Sequence, residues 1–306
     1  MFHRFCRQGG PGIQITELRL LLEYVRERFR VMTLRELASA FQRDKALPGS
    51  LVLTVDDGYR DFYEVAFPLL REYGIPATWF ITAQFVNREL WLWPDQVEYV
   101  LLNTPKSEVV VNTGAEAWRI PLQGRGGRLR QTEECATRMK RLPHAERRAL
   151  LERLAMACEV ELPKHCPEEY RPASWDELRE IAAAGIEIGA HSMTHPILST
   201  MSEREAEWEI SASKELIEQK LGARVDSFCF PNGQAGDFNE SCVQAIRRAG
   251  YLCATTSIQG VNRPGMDLFQ LFRYPAPEND FLRFKQTVSG VEELKRVIRQ
   301  RFARSD

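Results

Sequence analysis

The strongest constraint on the fold of this 306-residue chain is a repeated alternation of short apolar runs with segments of helical periodicity. The run 51–55 is β-branched and apolar on both faces, which is typical of a buried parallel strand. A helix-like segment at 61–73 separates it from the next apolar run at 77–82. The order recurs with apolar runs at 186–190, 227–230 and 252–256 and helical segments at 202–220 and 239–248. This alternation predicts βα units and an α/β fold with a parallel sheet or barrel.

Two helices are predicted before the first of these strands. Apolar residues at spacings of three and four predict an amphipathic helix over 15–29. A second helix is predicted to begin after Thr33, because its hydroxyl and Glu36 three residues later form the pattern of a capping box.

Between about residues 85 and 171 the alternation is interrupted. This stretch contains a basic Gly/Arg segment at 124–128 and helical patches at 132–140 and 145–158. We interpret it as an insertion into a single domain that spans residues 1–306. Both a lid over an active-site mouth and a solvated surface excursion fit its composition.

Composition and charge exclude several classes of protein. The chain has 41 basic and 42 acidic residues and a formal net charge of -1, so no overall field favours nucleic acid or an anionic membrane. Seven widely spaced cysteines without a C-x-x-C pair predict neither a disulfide framework nor a cysteine-type zinc site. The sequence has no apolar run of signal-peptide or membrane-spanning length, so we expect a cytoplasmic protein without an integral membrane segment. The sequence leaves the oligomeric state open.

Adjacent carboxylates follow the first apolar strand, at Asp56 and Asp57 in T-V-D-D-G-Y. Ionised acids directly after a buried strand are costly unless another group pairs with them. An alternative is a polar turn with an N-capping Asp, since Asp-Gly is common in turns.

Two histidines follow a later apolar run, at His191 and His195 in H-S-M-T-H. Imidazoles four residues apart can bind one metal ion, and a carboxylate is the natural third ligand where no cysteine is nearby. A site of this type with open positions is typical of catalytic metals. In parallel α/β folds the carboxyl ends of the strands meet at one edge, so we expect both motifs to lie on the same side of the molecule.

These motifs, together with F-C-F-P-N-G at 228–233, resemble those of the polysaccharide deacetylases, the NodB-homology group or carbohydrate esterase family four. The resemblance extends over about residues 51–275 and is interrupted by the insertion. It implies a distorted, incomplete (β/α) barrel of the seven-stranded type with a helical insertion. It also implies hydrolysis of an acetamide on a sugar.

The resemblance further implies roles for particular residues. Asp57, His191 and His195 would hold a divalent metal, for which zinc is the first expectation and cobalt or nickel also suit the ligands. Asp56 would be the general base beside the metal, and Asn232 would supply a backbone N–H to the oxyanion.

The sequence departs from the family pattern in two places. Cys229 stands where many members have an arginine that orients the base, so Arg273 is either a replacement or an ordinary surface cation. A late histidine supplies the proton in many members, but this chain has none after His195. His3 is therefore the candidate proton donor, and the alternative is a frayed terminal residue.

Three further residues are candidates for substrate binding, namely Tyr59 of the first motif, Arg273 and Trp93. Trp91 and Trp93 alternate as they would on one face of a strand and could stack on a sugar, although core packing is the alternative.

The sequence thus predicts a metal-dependent enzyme that removes an N-acetyl group from an amino sugar, as a precursor or component of a surface polysaccharide. Deformylation or cyclic-amide hydrolysis would use the same metal and base. An inactive sugar-binding protein is a further alternative.

Overall fold

The secondary structure comes from a computed structural model that describes residues 1–9, 12–113, 116–278 and 280–291. The strands in chain order are β1 (Phe5–Cys6), β2 (Ile13–Gln14), β3 (Arg30–Met32), β4 (Ser50–Val52), β5 (Thr54–Val55), β6 (Thr78–Ile81), β7 (Glu108–Asn112), β8 (Ala117–Pro121), β9 (Glu187–Ala190), β10 (Ser227–Cys229) and β11 (Cys253–Thr255). The α-helices are α1 (Ile15–Arg28), α2 (Leu34–Phe41), α3 (Phe67–Tyr73), α4 (Ala83–Val86), α5 (Trp93–Asn103), α6 (Gly124–Lys140), α7 (His144–Cys158), α8 (Trp175–Ala183), α9 (Glu203–Leu221), α10 (Glu240–Arg248) and α11 (Phe281–Val288).

A five-stranded sheet forms the centre of the fold, with its strands in the order β11, β10, β9, β6 and β5. All neighbouring strands in it run parallel. Every residue of these strands is buried, which explains why the corresponding sequence runs are apolar on both faces. The predicted α/β class is confirmed, and the sheet is curled into part of a barrel.

The two edges of the curled sheet meet through short bridging segments. Phe2 forms a parallel bridge with Val55 of β5, and Leu271 forms one with Thr255 of β11. The Met1 amino group donates to the Tyr274 carbonyl at 3.0 Å, and the Ala276 amide donates to the Met1 carbonyl at 2.8 Å. The seven-stranded count is not confirmed, because the described residues form five strands in this sheet and single bridges at its edges.

The largest apolar cluster lies between the sheet and the helices packed on it. The rings of Phe62 and Trp79 stack at its centre with a centroid separation of 4.4 Å. The predicted amphipathic helix α1 contributes its buried residues Leu18, Leu21, Leu22 and Val25. Full burial of one such side chain stabilises the fold by about 2 kcal/mol.

Helix α2 covers the amino ends of the central strands. Its predicted capping box is confirmed, because the Glu36 amide donates to the Thr33 hydroxyl at 3.3 Å and the Glu36 carboxylate accepts from the Thr33 amide at 2.8 Å. The amides of Leu34 and Arg35, the first two residues of the helix, donate to the side chains of Thr78 and Glu187 at the starts of β6 and β9. The polar side chains at the amino ends of the central strands therefore bind helix α2. The candidate site lies at the opposite, carboxyl ends of these strands.

Two predicted elements differ in detail from the structure. The run 51–55 is divided between β4, which pairs with β3, and β5, which pairs with β6. The predicted helix at 61–73 begins with a π-helical turn over Phe62–Ala66 before α3.

The segment that interrupts the alternation has an apolar cluster of its own, formed by α5, α6, α7 and the antiparallel hairpin β7–β8. The hairpin was not predicted, because exposed Val110 is as apolar as its buried neighbours Val109 and Val111 and hides the period of two. Lys140 of α6 pairs with Asp237 of the main domain at 2.8 Å.

The basic Gly/Arg segment at 124–128 is helical and forms the start of α6. The Arg128 guanidinium donates to the carbonyls of Leu101, Thr104 and Lys106 at 2.7, 2.8 and 3.0 Å. It therefore satisfies carbonyl groups at the end of α5, and part of this basic segment has a structural role.

Among the described ranges, we find no helix with both the length and the apolar character needed to span a bilayer.

Candidate active site

The predicted metal ligands, the predicted base Asp56 and Asn232 lie in loops that leave the carboxyl ends of β5, β9 and β10. Four non-glycine residues in these loops have φ in the left-handed region, namely Asp57 (79°), Ser192 (63°), His195 (60°) and Asn232 (58°). Each such conformation costs on the order of 1 kcal/mol or more for a side chain with a Cβ. Strained backbone of this kind concentrates at functional sites, where the surrounding structure keeps side chains in a required position.

The structure brings the three predicted metal ligands together. The Nε2 atoms of His191 and His195 lie 3.5 and 3.4 Å from Asp57 Oδ1. The Nδ1–H of His191 donates to the Cys229 carbonyl at 2.8 Å, which directs its Nε2 towards Asp57. His195 Nδ1 is buried without a hydrogen-bond partner in the described part of the chain.

The donor set fits a divalent cation. Ligands about 2.1 Å from a tetrahedral zinc ion are separated by about 3.4 Å, close to the observed distances between ligand atoms. Burial lowers the pKa of His191 to about 4. Burial and the neighbouring His191 lower the pKa of His195 well below its usual value. Both imidazoles are therefore neutral at neutral pH, as metal ligands must be. Burial and the adjacent charge of Asp56 raise the pKa of Asp57, and a cation would offset that cost.

Asp56, His191 and Cys229 form a second close group of possible ligand atoms. Both carboxylate oxygens of Asp56 are already paired with Arg273, whose positive charge opposes a cation there. Burial also raises the pKa of the Cys229 thiol well above its usual value, so the thiolate form is disfavoured. Of the two groups, the one that contains Asp57 is therefore the better fit to a divalent cation.

Arg273 holds Asp56 in a bidentate ion pair, with N–O distances of 2.7 and 2.9 Å. Its remaining N–H groups donate to Thr256 O, Thr54 Oγ1 and Cys229 Sγ at 2.8, 3.2 and 3.0 Å. All five N–H groups of this guanidinium thus have protein acceptors, and none is left for a substrate. Arg273 is buried, which is inconsistent with an ordinary surface cation, and its geometry favours orientation of Asp56 over the substrate contact that the sequence suggested.

The same pair controls the protonation of Asp56. Burial opposes ionisation of this carboxyl group, but the charge and hydrogen bonds of Arg273 outweigh burial and hold the pKa of Asp56 well below its usual range. Asp56 is therefore ionised at neutral pH, and both of its oxygens are held by Arg273.

Sequence reasoning missed Glu209, a buried residue of α9 that positions the histidine loop. Its carboxylate accepts from the amides of Met193 and Thr194 at 2.8 Å each and from the Thr194 hydroxyl at 2.5 Å. The signal in the sequence was a glutamate on the helix face that also carries the buried Ala206 and Ser213.

Asn232, the predicted oxyanion donor, follows β10 in a left-handed backbone conformation. No described residue accepts a hydrogen bond from its backbone N–H. The neighbouring Gly233 has φ of 65°, and a Cβ there would lie 2.8 Å from the Ser257 amide nitrogen. Glycine at this position therefore allows the turn that follows Asn232.

His3 lies at the mouth of the site. Its Nε2 is 3.9 Å from Asp56 Oδ2, and its side chain is 48% exposed. The main chain at Phe2 is fixed by its bridge to Val55, which argues against a frayed terminus.

The remaining candidates face the inserted segment. The buried Tyr59 hydroxyl donates to the two carboxylate oxygens of Asp95 at 2.9 and 2.8 Å, so it is committed to a protein partner. The strand interpretation of the Trp91 and Trp93 region is wrong, because Trp93 begins α5, with Pro94 in its first turn. Trp91 is buried against Tyr170, as expected for core packing.

A curled parallel sheet with two histidines and an aspartate at its carboxyl edge defines a class of α/β proteins whose site can hold a divalent metal. The sequence pattern of the polysaccharide deacetylase family matches residues 43–113 and 132–254. The chain belongs to this family and is a hydrolase that acts on amide bonds. Enzymes of carbohydrate esterase family four depend on a metal.

Individual relatives are distant in sequence. The YxkH protein of Bacillus subtilis (strain 168) is 18% identical over 275 residues, which cover 89% of this chain and 68% of that protein. The poly-beta-1,6-N-acetyl-D-glucosamine N-deacetylase of Escherichia coli (strain K12) is 31% identical over 82 residues, which cover 26% of this chain and 12% of that enzyme.

Two solved structures share the fold. The Streptococcus pyogenes deacetylase PplD, in complex with acetate, superposes with a TM-score of 0.61 at 15% identity and covers 94% of this chain and 96% of its own. IcaB from Ammonifex degensii also gives a TM-score of 0.61, at 17% identity, with 94% and 93% covered.

Proposed function

We propose that this chain is a metal-dependent deacetylase that removes the N-acetyl group from an amino sugar of a surface polysaccharide or its precursor. The observation that carries the proposal is the close group of Asp57, His191 and His195 beside an ionised Asp56 paired with Arg273. Zinc is the proposed metal, with cobalt or nickel as substitutes. When bound, it would supply Lewis-acid polarisation of the acetamide.

The protein groups divide the remaining chemistry. Asp56 accepts a proton from the water whose oxygen attacks the acetyl carbonyl carbon. The Asn232 amide donates a hydrogen bond to the oxygen that becomes negative in the tetrahedral intermediate. His3 donates a proton to the sugar nitrogen as the C–N bond breaks, and the products are acetate and the free amine.

The substrate class follows from two considerations. The net charge of -1 does not favour a nucleic acid partner, and the Escherichia coli relative is named for an N-acetylglucosamine polymer. We therefore propose an N-acetylglucosamine-type sugar as substrate for this chain and retain the cytoplasmic location as a prediction. One domain over residues 1–306, with the insertion beside the site, is the proposed organisation.

A purely sugar-binding role is less well supported. A protein that only binds sugar needs the three ligands to hold a metal. The buried Asp56–Arg273 ion pair beside them would then be costly to the fold without contributing to binding. Formyl or cyclic-amide substrates would use the same groups, and the identity of the released acid distinguishes them.

The test uses protein freed of metal with a chelator and reloaded with zinc, cobalt or nickel. We expect equal amounts of acetate and free amine from N-acetylglucosamine oligomers. Asp56→Asn should bind zinc with an affinity within a few-fold of the unmodified chain and lose turnover by on the order of 10²–10⁴-fold. Loss of zinc from Asp56→Asn would contradict the separation of base from ligands, and formate release would favour a deformylase.

A further inference from the structure

The turn that carries Asp57 is held from several sides. Asp57 and Gly58 have consecutive positive φ values of 79° and 108°, so the turn depends on its surroundings to keep this conformation. The Thr82 amide donates to the Asp57 carbonyl at 2.9 Å. The Ala173 amide donates to the Gly58 carbonyl at 3.0 Å. The next residue, Tyr59, adds a side-chain anchor to these two main-chain contacts.

The inserted segment binds the side chain of Tyr59. The Arg4 guanidinium carbon lies 4.1 Å from the centroid of its ring, and the Phe85 ring meets it edge-on with a centroid separation of 5.2 Å. The Tyr59 hydroxyl donates to the carboxylate of Asp95, the third residue of α5, at 2.9 and 2.8 Å. Both residues are buried, and no other described residue donates to the Asp95 carboxylate. This hydrogen bond therefore joins the inserted segment to the turn of a proposed ligand.

The surroundings of Tyr59 also reach the loop of the two histidines. Tyr59, Phe85 and Leu92 form a small buried apolar cluster. Phe85 belongs to α4, and the first two amides of this helix donate to the carbonyls of Ser192 and Met193, each at 3.0 Å. Tyr59 thus packs against a helix that is itself bonded to the histidine loop.

We infer that Asp95 is a positioning residue for the proposed metal site, because it holds Tyr59 and thereby keeps Asp57 in line with the two histidines. A ligand in a strained backbone conformation relaxes when its support is lost, and the metal affinity falls with it. The inserted segment then contributes to metal binding although none of the three proposed ligands belongs to it. This inference rests on the proposed metal-dependent function.

Three variants separate the hydrogen bond from the charge of Asp95. Tyr59→Phe removes the donor and keeps the carboxylate. Asp95→Leu removes both the acceptor and the charge, whereas Asp95→Asn removes the charge but keeps an oxygen acceptor. Comparison of Asp95→Leu with Asp95→Asn therefore isolates the hydrogen bond from any direct attraction between the Asp95 charge and a cation.

Tyr170→Phe is the matched control for Tyr59→Phe. The Tyr170 hydroxyl donates to Glu98 of the same helix α5 at 3.0 Å, and both tyrosines are buried. Each change therefore removes a buried hydroxyl that binds a carboxylate of α5. Tyr59 is two residues from Asp57, whereas Tyr170 ends a 3₁₀ turn of the inserted segment.

Zinc affinity is measured by calorimetry on the metal-free full chain. We expect Tyr59→Phe to bind zinc about tenfold more weakly than Tyr170→Phe, and Asp95→Leu about tenfold more weakly than Asp95→Asn. The double variant Tyr59→Phe/Asp95→Leu should bind zinc no more weakly than Asp95→Leu, because both changes remove the same hydrogen bond. Equal affinities within either pair, or multiplied losses in the double variant, would overturn the inference.

Two further measurements separate positioning from other roles. Excess zinc should restore most of the acetate release by Tyr59→Phe, with KM for the sugar unchanged, whereas a raised KM at saturating zinc would assign the pair to substrate binding. Metal-free Tyr59→Phe and Tyr170→Phe should melt at similar temperatures, because each loses one buried hydrogen bond of the same kind. A much lower melting temperature for Tyr59→Phe alone would assign the bond to general stability and overturn the positioning role.

The zinc titrations also separate this inference from the proposed reaction. A selective loss of zinc affinity in Tyr59→Phe, with no acetate release by the unmodified chain, would support the positioning role and overturn the deacetylase. Acetate release by the unmodified chain, with equal zinc affinities in Tyr59→Phe and Tyr170→Phe, would do the reverse. A chain that binds no divalent metal would overturn both.

Discussion

Replacement of Arg273 by alanine tests whether this residue keeps Asp56 ionised and oriented. The change removes both N–O contacts to the carboxylate, at 2.7 and 2.9 Å, and leaves a carboxyl group that is 2% exposed without a cation. Removal of one partner of a buried pair costs about 3–5 kcal/mol. For a domain of this size we expect the melting temperature to fall by roughly 10 °C.

The pH dependence of activity should shift in a defined direction. In the unmodified chain Arg273 outweighs burial and keeps the pKa of Asp56 low, so the base is ionised through the neutral range. Without Arg273, burial dominates, the pKa of Asp56 rises, and the acid limb of kcat/KM moves to higher pH. At neutral pH we expect kcat/KM to fall on the order of 10²–10³-fold.

The assay is a pH profile of acetate release by the zinc-loaded chain, with Arg263→Ala as the control for loss of an exposed arginine in the same part of the sequence. The double variant Asp56→Asn/Arg273→Ala should lose less stability than the sum of the single variants, because no unpaired charge remains. An acid limb and a neutral-pH kcat/KM like those of the unmodified chain in Arg273→Ala would refute the reasoning. Additive stabilities, to within about 0.5 kcal/mol, would also refute it.

Other predictions concern the surroundings of the site. Glu209→Gln should weaken zinc binding by roughly 10–100-fold in calorimetry, because the histidine loop loses charged acceptors, whereas the exposed control Glu207→Gln should not. His3→Ala should reduce kcat by at least about tenfold at neutral pH if His3 is the proton donor, and unchanged kcat would remove it from that role. Burial raises the pKa of Asp95 to about 7, so its protonated form favours the folded state and that stability is lost as pH rises through about 7. In thermal melts of the metal-free protein, the stability of Asp95→Asn relative to that of the unmodified chain should therefore be higher at pH 8 than at pH 5. The same change in melting temperature between these two pH values in the variant and in the unmodified chain would contradict this.

The fold was predictable wherever a structural element is determined by residues that are close together in the sequence. The Thr33 capping box and the buried parallel strands depend on neighbouring residues, and both occur in the structure. The division of residues 51–55 between two sheets depends on which distant strand each half meets. Apolarity alone does not specify that partner.

The site was predictable in part for the same reason. Asp57 follows β5, and His191 and His195 follow β9, on the other side of β6. They come together because the carboxyl ends of these parallel strands lie at one edge of the sheet, which the motif positions already implied. Arg273 and Glu209 approach from a sheet edge and from a helix, so the three-dimensional packing decides what they contact.

The meeting of the two sheet edges has a consequence for the order of events during folding. The pair of Asp56 and Arg273 connects positions 217 residues apart, and contacts of such long sequence separation form slowly because a large loop must close first. The metal ligands follow β5 and β9, which lie on either side of β6. Pairing of these central strands is enough to bring the three proposed ligands together. Arg273 reaches Asp56 only where residues 271–276 close against the amino-terminal segment, so the proposed base is oriented by a later and longer-range contact than the proposed ligands are.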